Sequence, residues 1–222
     1  MTLSKISRTS RSGLSLIELT VVVTVAAVIA LIAVSKVKKS RLQAERRERI
    51  RCVSNLKNIG LAFRIFATDN NDQFPPAVMA TNPARLATLQ PIDVFRFITN
   101  ELSTPILLHC LADKQRSAPR NGASFNEITT KNISYFASLS ASETNPAAFL
   151  AGDRNILTGG QPVSGLLALS TNLAPTLSWS KQIHNEKGNL AMGDGSVQQM
   201  NSLRLEQSVR DQDLATNHLA FP

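Results

Sequence analysis

Three sets of residues in this sequence have the types and positions that chemistry requires. They are Glu18 inside the apolar run 14–34, the only two cysteines Cys52 and Cys110, and His184 followed after nine further residues by Asp194-Gly195. The first offers a carboxylate in an apolar setting, the second a thiol pair, and the third an imidazole near a turn. What each set can do depends on the elements that carry it.

An enzyme needs a recognisable constellation of catalytic groups, and this sequence shows none. The three histidines, His109, His184 and His218, are scattered along the chain. Neither G-x-S-x-G nor H-E-x-x-H occurs, and no glycine-rich phosphate loop follows a predicted strand. We therefore predict a protein that is not an enzyme and that needs no cofactor.

A metal site is the alternative role for the histidine. His184, Asp194 and Asp153 are the candidate ligands, and a calcium ion would suit the carboxylates. Three unclustered residues match no known metal spacing, so the prediction is for no metal. Residues 69–72, Asp-Asn-Asn-Asp, lack the glycine and distal glutamate of a calcium loop and predict a polar helix end instead.

The two cysteines allow two interpretations. Cys52 and Cys110 form no CxxC or metal-type spacing. One disulfide between them is chemically possible if this part of the chain is exported. Because the spacing gives no positive sign of pairing, unpaired buried thiols are the preferred expectation.

The apolar run is long enough to cross a membrane. Its 21 residues would span about 31 Å as a helix, close to the hydrocarbon thickness of about 30 Å. It exceeds the apolar region of a secretory signal and is followed by Ser35-Lys36 rather than an exported mature start, so we predict a retained membrane helix. Glu18 inside it indicates a function, or lies near enough to the helix end to reach the interface.

The net charge of +8 belongs to the N-terminal third of the chain. Residues 1–64 hold 13 Lys and Arg against three Glu, whereas residues 65–222 hold 11 basic and 13 acidic residues. A nucleic-acid-binding domain needs a basic patch on a folded face, and the later part of the chain has no charge excess to supply one. Nucleic acid is therefore excluded as an expected partner.

The remaining pattern predicts an α+β fold, with a long N-terminal transmembrane-plus-soluble helix packed on a small antiparallel β-sheet domain. Apolar residues recur at helical spacing beyond the membrane run, and proline is absent until Pro75-Pro76, so the helix should end near Thr68. Short helices are expected at 84–89 and 91–100, and strands at 106–110, 133–139, 149–151, 177–183, 189–192 and 196–200. The small-residue stretch 158–176 predicts an exposed loop. The last three strands predict a meander in which the His184 side chain bonds near the Asp194-Gly195 turn.

The N-terminal residues carry a resemblance to a known family. The stretch Gly13-Leu14-Ser15-Leu16-Ile17-Glu18 after a short basic leader resembles the prepilin cleavage and methylation motif of type IV pilin-like proteins. The resemblance implies cleavage between Gly13 and Leu14 by a prepilin peptidase, and N-methylation of Leu14. It also implies that Glu18 pairs with the N-terminal amine of a neighbouring subunit during assembly. Leu14 and Ser15 depart mildly from the usual Phe and Thr.

The tail carries a second resemblance. The stretch 184–195 is similar to the H-x9-DG element of prepilin-type processing-associated proteins, with His184, Asp194 and Gly195 at its defining positions. The stretches 52–62 and 71–76 are similar to the same family. The resemblance therefore touches both ends and the middle of the chain.

Together these features predict four segments. They are a leader at 1–13, a transmembrane half-helix at 14–35, a soluble half-helix at 36–68 and a periplasmic globular domain at 69–222. The expected function is that of a structural pseudopilin, assembled into a type II secretion-like pseudopilus for protein export. The expected partners are the prepilin peptidase, other pilin-like subunits and an inner-membrane assembly platform. The alternative is a membrane-anchored minor pilin or surface module that binds a ligand through its C-terminal domain.

The predicted orientation rests on the leader motif rather than on charge. The motif places the N-terminus in the cytoplasm and the C-terminal domain in the periplasm of a bacterium, anchored in the inner membrane or held in a filament. Charge alone weakly favours the opposite, since basic residues flank the apolar run on both sides. These residues are Lys5, Arg8 and Arg11 before it and Lys36, Lys38, Lys39 and Arg41 after it.

Overall fold

A computed structural model describes residues 15–80, 82–212 and 214–222. The chain divides into two compact units, Met1–Ala44 and Glu45–Pro222. One helix, α1, spans Leu16–Asp69 and contributes residues to both units. An α-helix followed by a domain with an antiparallel sheet is the α+β architecture that the sequence predicts.

The first unit consists, in its described part, of the N-terminal portion of α1. Every side chain from residue 15 to residue 44 is exposed, including the valines, leucines and isoleucines of the apolar run. Within the described residues, α1 is the one helix long and apolar enough to cross a membrane. An unpacked apolar surface of this length needs a lipid or protein environment to cover it.

The second unit begins with the remainder of α1, which is amphipathic. Buried residues on one face recur at three- and four-residue steps, as a helix that packs on a domain requires. These residues include Cys52, Leu56, Ile59, Phe63 and Ala67. The helix ends at Asp69, one residue beyond the predicted Thr68, and Asn71 and Asp72 then adopt left-handed backbone conformations.

Short helices follow α1. They are α2 (Pro75–Met79), α3 (Pro83–Leu86), α4 (Pro91–Phe97) and α5 (Thr99–Leu102). The strand expected at 106–110 is wrong, because Pro105–Leu108 forms a 3-10 helix. Pro105 stands at its first position with a fixed φ, and the Thr104 hydroxyl accepts a hydrogen bond from the Ile106 amide at 3.5 Å.

Two antiparallel sheets complete the domain. Their strands are β1 (Tyr135–Ser138), β2 (Phe149–Asp153), β3 (Ile156–Thr158), β4 (Gln161–Pro162), β5 (Gly165–Leu169), β6 (Leu177–Trp179), β7 (Lys187–Met192), β8 (Val197–Asn201) and β9 (Asn217–Phe221). The larger sheet has the strand order β5-β9-β1-β2-β7-β8, and the smaller has the order β4-β3-β6. A last helix, α6 (Ser202–Arg210), lies between β8 and β9.

The inner strands β1, β2 and β7 of the large sheet are buried on both faces, and the residues of β1 illustrate this. Tyr135 and Ala137 belong to a core shared with α1 and α4, whereas Phe136 belongs to a second core with α6 and the small sheet. Side chains alternate between faces along a strand, so both faces can bear apolar residues. All four residues of β1 are buried for this reason.

Two predictions about the second half of the domain need correction. The stretch 158–176 is not a plain loop, because it contains β4 and β5. The predicted meander is wrong as well, since β6 ends at Trp179 and pairs with β3 rather than with β7. His184 lies in the turn between β6 and β7, so it does not end a strand.

Candidate functional site

A disulfide joins Cys52 of α1 to Cys110, which follows the 3-10 helix. Both residues are fully buried, and their Cα atoms are 5.1 Å apart. The preferred expectation of unpaired thiols is therefore wrong. The Asn55 side chain, one helical turn further along α1, donates a hydrogen bond to the backbone oxygen of His109 at 3.0 Å and fixes the same two segments.

His184 lies against this disulfide. Its Nε2 atom is 3.4 Å from the Cys110 sulfur, and its side chain is almost completely buried. The predicted bond from His184 to the Asp194-Gly195 turn is not formed. His184 instead precedes β7 while Asp194 follows it, so they lie beyond opposite ends of a strand that is about 17 Å long.

The backbone around His184 is unusual. His184, Asn185 and Glu186 have φ angles of 56°, 52° and 60°, three successive non-glycine residues in the left-handed region. Such residues cost roughly 1–2 kcal/mol each and persist only where neighbouring contacts hold them. The segment 184–186 is called the left-handed turn below.

One buried side chain holds the left-handed turn in place. The amide nitrogen of Asn155 donates to three backbone oxygens, those of Ser180, Ile183 and Lys187, at 3.0–3.2 Å. These oxygens flank the turn on both sides. The backbone oxygen of His184 also accepts a hydrogen bond from Arg49 of α1 at 3.2 Å.

Asp153, at the end of β2, is the second polar partner of His184. Its Oδ2 atom is 3.6 Å from His184 Nε2 and accepts hydrogen bonds from the Asn189 backbone amide at 2.7 Å and the Asn189 side chain at 2.8 Å. Its Oδ1 atom is buried and has no hydrogen-bond partner among the described residues. Strand pairing also sets Tyr135 directly opposite Asp153.

Burial, rather than charge pairing, governs protonation here. Burial raises the pKa of Asp153 to about 7, although the hydrogen bonds from Asn189 oppose this shift. Burial also lowers the pKa of His184 to about 4, with Arg49 as the next contribution. Between these values both groups are neutral, so their 3.6 Å approach is not an ion pair.

A charged cleft of about 310 Å³ opens beside His184. Glu45, Glu48 and Arg49 of α1 line one side, and Lys114 and Lys181 contribute on the other. Lys114 bridges the two sides through a 2.9 Å salt bridge to Glu48. His184 itself lines the cleft, which therefore connects the surroundings of the histidine with solvent.

The alternative ligand set His184, Asp194 and Asp153 is corrected by this geometry. His184 and Asp153 are neighbours, but Asp194 is exposed and its side chain accepts a hydrogen bond from the Ser196 amide at 2.8 Å. Gly195 has a φ of 82° and its amide bonds to the Met192 oxygen, so Asp194-Gly195 forms the β7–β8 hairpin turn. Within the H-x9-DG stretch, His184 thus lies beside the disulfide, whereas Asp194-Gly195 forms a hairpin turn at the other end of β7.

The predicted processing site, Gly13 and Leu14, lies outside the described residues. Glu18 is described, and its carboxylate accepts a hydrogen bond from the Ser15 amide at 2.9 Å while the Ser15 hydroxyl accepts from the Glu18 amide at 3.3 Å. This reciprocal pair is a capping box at the start of α1. The sequence signal that predicts it is S-x-x-E before an apolar run.

Sequence reasoning also missed Asn155 and the cluster around the disulfide. Cys52, Cys110 and His184 offer three donor atoms that all lie within 4.8 Å of one another. They come from α1, from the segment after a 3-10 helix and from the left-handed turn. No local spacing in the sequence connects them.

No family model, no curated protein and no solved structure matched this chain. The resemblance to prepilin-type proteins therefore rests on the leader and tail motifs of the sequence.

Proposed function

We propose that this protein is a structural pseudopilin, processed by a prepilin peptidase and assembled through the N-terminal part of α1 into a type II secretion-like pseudopilus. The observation that carries the proposal is the exposed apolar surface of α1 from Leu16 to Val34. In the membrane, lipid covers this surface. In a filament, the same residues of neighbouring subunits cover it.

Glu18 supplies the specific chemistry for assembly. It is the only charged residue of the apolar run, and a carboxylate in such surroundings needs a partner. After cleavage at Gly13, the Leu14 amine of another subunit is a partner of opposite charge. A pair of this kind in a low-dielectric filament core fixes the register between subunits.

The disulfide supports the periplasmic placement of the second unit. Disulfides persist in oxidising compartments, and the bacterial periplasm is one of them. The Cys52–Cys110 bond therefore favours the orientation given by the leader motif over the one weakly favoured by flanking charge. The domain would then lie outside the inner membrane, where a pseudopilus forms.

The experiment must separate the charge of Glu18 from its role in the capping box. Glu18→Gln keeps an oxygen that can accept the Ser15 hydrogen bond but removes the charge, whereas Ser15→Ala weakens the cap and keeps the charge. Both variants and the wild type are co-expressed with a prepilin peptidase and an assembly platform. Intact mass reports cleavage and methylation, and cross-linking through α1 followed by gel analysis reports polymers.

We expect all three proteins to be cleaved, with loss of residues 1–13 and gain of one methyl group. Polymers should form with the wild type and Ser15→Ala and should be lost with Glu18→Gln. An uncleaved wild type, beside a control prepilin that is processed, contradicts the assignment to this class. Cleavage with polymers that do not depend on Glu18 contradicts the proposed assembly chemistry.

A further inference from the structure

We propose that the reduced form of this protein binds one divalent metal ion of the zinc class through Cys52, Cys110 and His184, with Asp153 as the fourth donor. This site is separate from the assembly chemistry of Glu18 and does not depend on the proposed function. In the disulfide form the sulfurs are not thiolates, and the thiolate is the form of cysteine that binds a metal.

Cys52, Cys110 and His184 offer donor atoms within 4.8 Å of one another, and two further distances, both measured from His184, match those of a tetrahedral site. With Zn–S near 2.3 Å and Zn–N near 2.0 Å, a sulfur and a nitrogen ligand are about 3.5 Å apart, and a nitrogen and an oxygen ligand about 3.4 Å. The Cys110 sulfur is 3.4 Å from His184 Nε2, and Asp153 Oδ2 is 3.6 Å from the same nitrogen. The cysteine Cα atoms are 5.1 Å apart, so side-chain rotation after reduction brings both sulfurs to one ion.

Asp153 gives an independent sign that a cation belongs here. Its Oδ1 atom is fully buried and has no hydrogen-bond partner among residues 15–80, 82–212 and 214–222. Buried polar atoms are nearly always paired, because an unpaired one keeps its full desolvation penalty. A metal ion that Asp153 binds through both carboxylate oxygens would remove this penalty.

The backbone supports a fixed position for the imidazole. Three left-handed residues and the three hydrogen bonds from Asn155 hold His184 over the cysteine pair. Strain of this kind is concentrated at sites where a side chain must be held in one place. The cleft lined by Glu48, Arg49 and Lys114 provides the entry path that a metal site needs.

The types of donor atom determine which metal ions the site can bind. Two soft thiolates with an imidazole and one carboxylate suit Zn²⁺ or Co²⁺, whereas Ca²⁺ and Mg²⁺ prefer oxygen ligands alone. On binding, two thiols release two protons and the metal keeps its oxidation state. Thiol–disulfide exchange with an external disulfide oxidises the two thiolates to the Cys52–Cys110 bond, reduces that oxidant to two thiolates and releases the ion, so metal binding and the disulfide exclude each other. The newly synthesised chain, whose cysteines are still thiols, is the form that would bind.

Cobalt binding to the full chain in non-ionic detergent tests this proposal. A phosphine reductant cleaves the disulfide, with phosphine and water giving phosphine oxide and two thiols. Co²⁺ is then titrated without oxygen, and thiolate-to-cobalt charge transfer and tetrahedral d–d bands are followed. Zn²⁺ is added afterwards and should displace Co²⁺. The untreated disulfide form is the first control.

Three variants assign the ligands. His184→Ala should weaken Co²⁺ binding at least 10-fold, and Asp153→Asn should weaken it about 10-fold. His218→Ala is the matched control, because His218 lies on β9 with its ring bonded to Ser140. It should bind Co²⁺ as the wild type does, and buried Trp179 fluorescence checks that each variant is folded.

The outcomes are decisive. A tetrahedral cobalt spectrum in the reduced protein, absent in the disulfide form and weakened in both His184 and Asp153 variants, supports the four-donor site. No cobalt band in the folded, reduced wild type overturns the proposal. Equal binding by His184→Ala and His218→Ala also overturns it, because the cysteines would then bind metal without the built site. Unchanged binding by Asp153→Asn overturns the assignment of the fourth donor.

Discussion

Replacing both cysteines with alanine removes the covalent link between α1 and the segment after the 3-10 helix. Cys52 and Cys110 are 58 positions apart. Closing a loop of that length reduces the entropy of the unfolded chain by an amount worth about 4 kcal/mol at 25 °C. Because most domains are stable by only 5–15 kcal/mol, we expect a large loss for the Cys52→Ala/Cys110→Ala variant.

Urea unfolding of the full chain in non-ionic detergent measures this loss. Trp179 is the only tryptophan in the sequence and is buried in the second core, so its fluorescence reports the domain and not the apolar N-terminal part of α1. With a slope of about 2 kcal/mol per molar urea, a loss of about 4 kcal/mol lowers the midpoint by about 2 M. The wild type is measured oxidised and, without added metal, reduced, and a thiol assay verifies both states.

The reduced wild type and the alanine variant should unfold at similar urea concentrations, well below the oxidised wild type. If the oxidised wild type and the variant share one midpoint, the disulfide does not constrain the unfolded chain as argued. If only the variant is weakened and the reduced wild type is not, the lost stability comes from packing at the two fully buried positions. Either result would refute the entropic account.

Asp153→Asn should become more stable relative to the wild type as pH rises from 4 to 8. Folding raises the pKa of Asp153 from 3.8 to about 7, so the carboxyl group ionises at lower pH in the unfolded chain than in the folded one. The wild type therefore loses up to about 4 kcal/mol of folding free energy across that range. His184 has the opposite pH dependence, because its contribution to stability is complete above pH 6.5 and is lost as pH falls through about 4. Both proteins contain His184, so this contribution cancels in the difference between their urea midpoints. Gly188→Ala should lower the free energy of unfolding by about 1–3 kcal/mol, because the added methyl group would overlap the Trp179 ring. Gly60→Ala should instead raise it by up to about 1 kcal/mol, because Gly60 is inside α1 and its nearest neighbours would be 3.9 Å from the new carbon.

Asp194→Asn is the control for the pH prediction, since it removes a carboxylate that is exposed. A pH-independent difference between wild type and Asp153→Asn would contradict the raised pKa of Asp153. Gly188→Ala and Gly60→Ala serve as controls for each other, because each adds a single methyl group. Equal urea midpoints for them would contradict the packing described around Trp179 and α1.

The parts of the fold that were predictable from sequence are those whose signal is local. Helix α1 follows from apolar spacing and from the absence of proline before Pro75. Strands β1, β2, β7 and β8 follow from short apolar runs bounded by turn residues. In contrast, β5 lies in a stretch rich in small residues and owes its structure to pairing with β9, a tertiary contact that no local pattern reveals.

The candidate site was predictable only in pieces. His184, Asp153 and the cysteines were each singled out, but their proximity depends on four separate segments. The left-handed turn contains no glycine, so the usual sign of positive φ was absent. The Asn155 side chain that holds this turn resembles any other turn asparagine in the sequence. Because these signals are missing, the sequence predicts His184 near the Asp194-Gly195 turn instead of in the left-handed turn.

The position of the disulfide along α1 has a mechanical consequence. Cys52 is the first fully buried residue of the helix after its exposed N-terminal part, and Leu56, Ile59 and Phe63 follow it. If the chain is pulled by the N-terminal end of α1, the load passes along the helix and meets Cys52 before it meets those apolar contacts. A covalent bond at that point transfers the load to the loop at Cys110, so the helix cannot be peeled turn by turn from the domain. In the assembly proposed above, the oxidised protein would therefore leave the membrane as one piece.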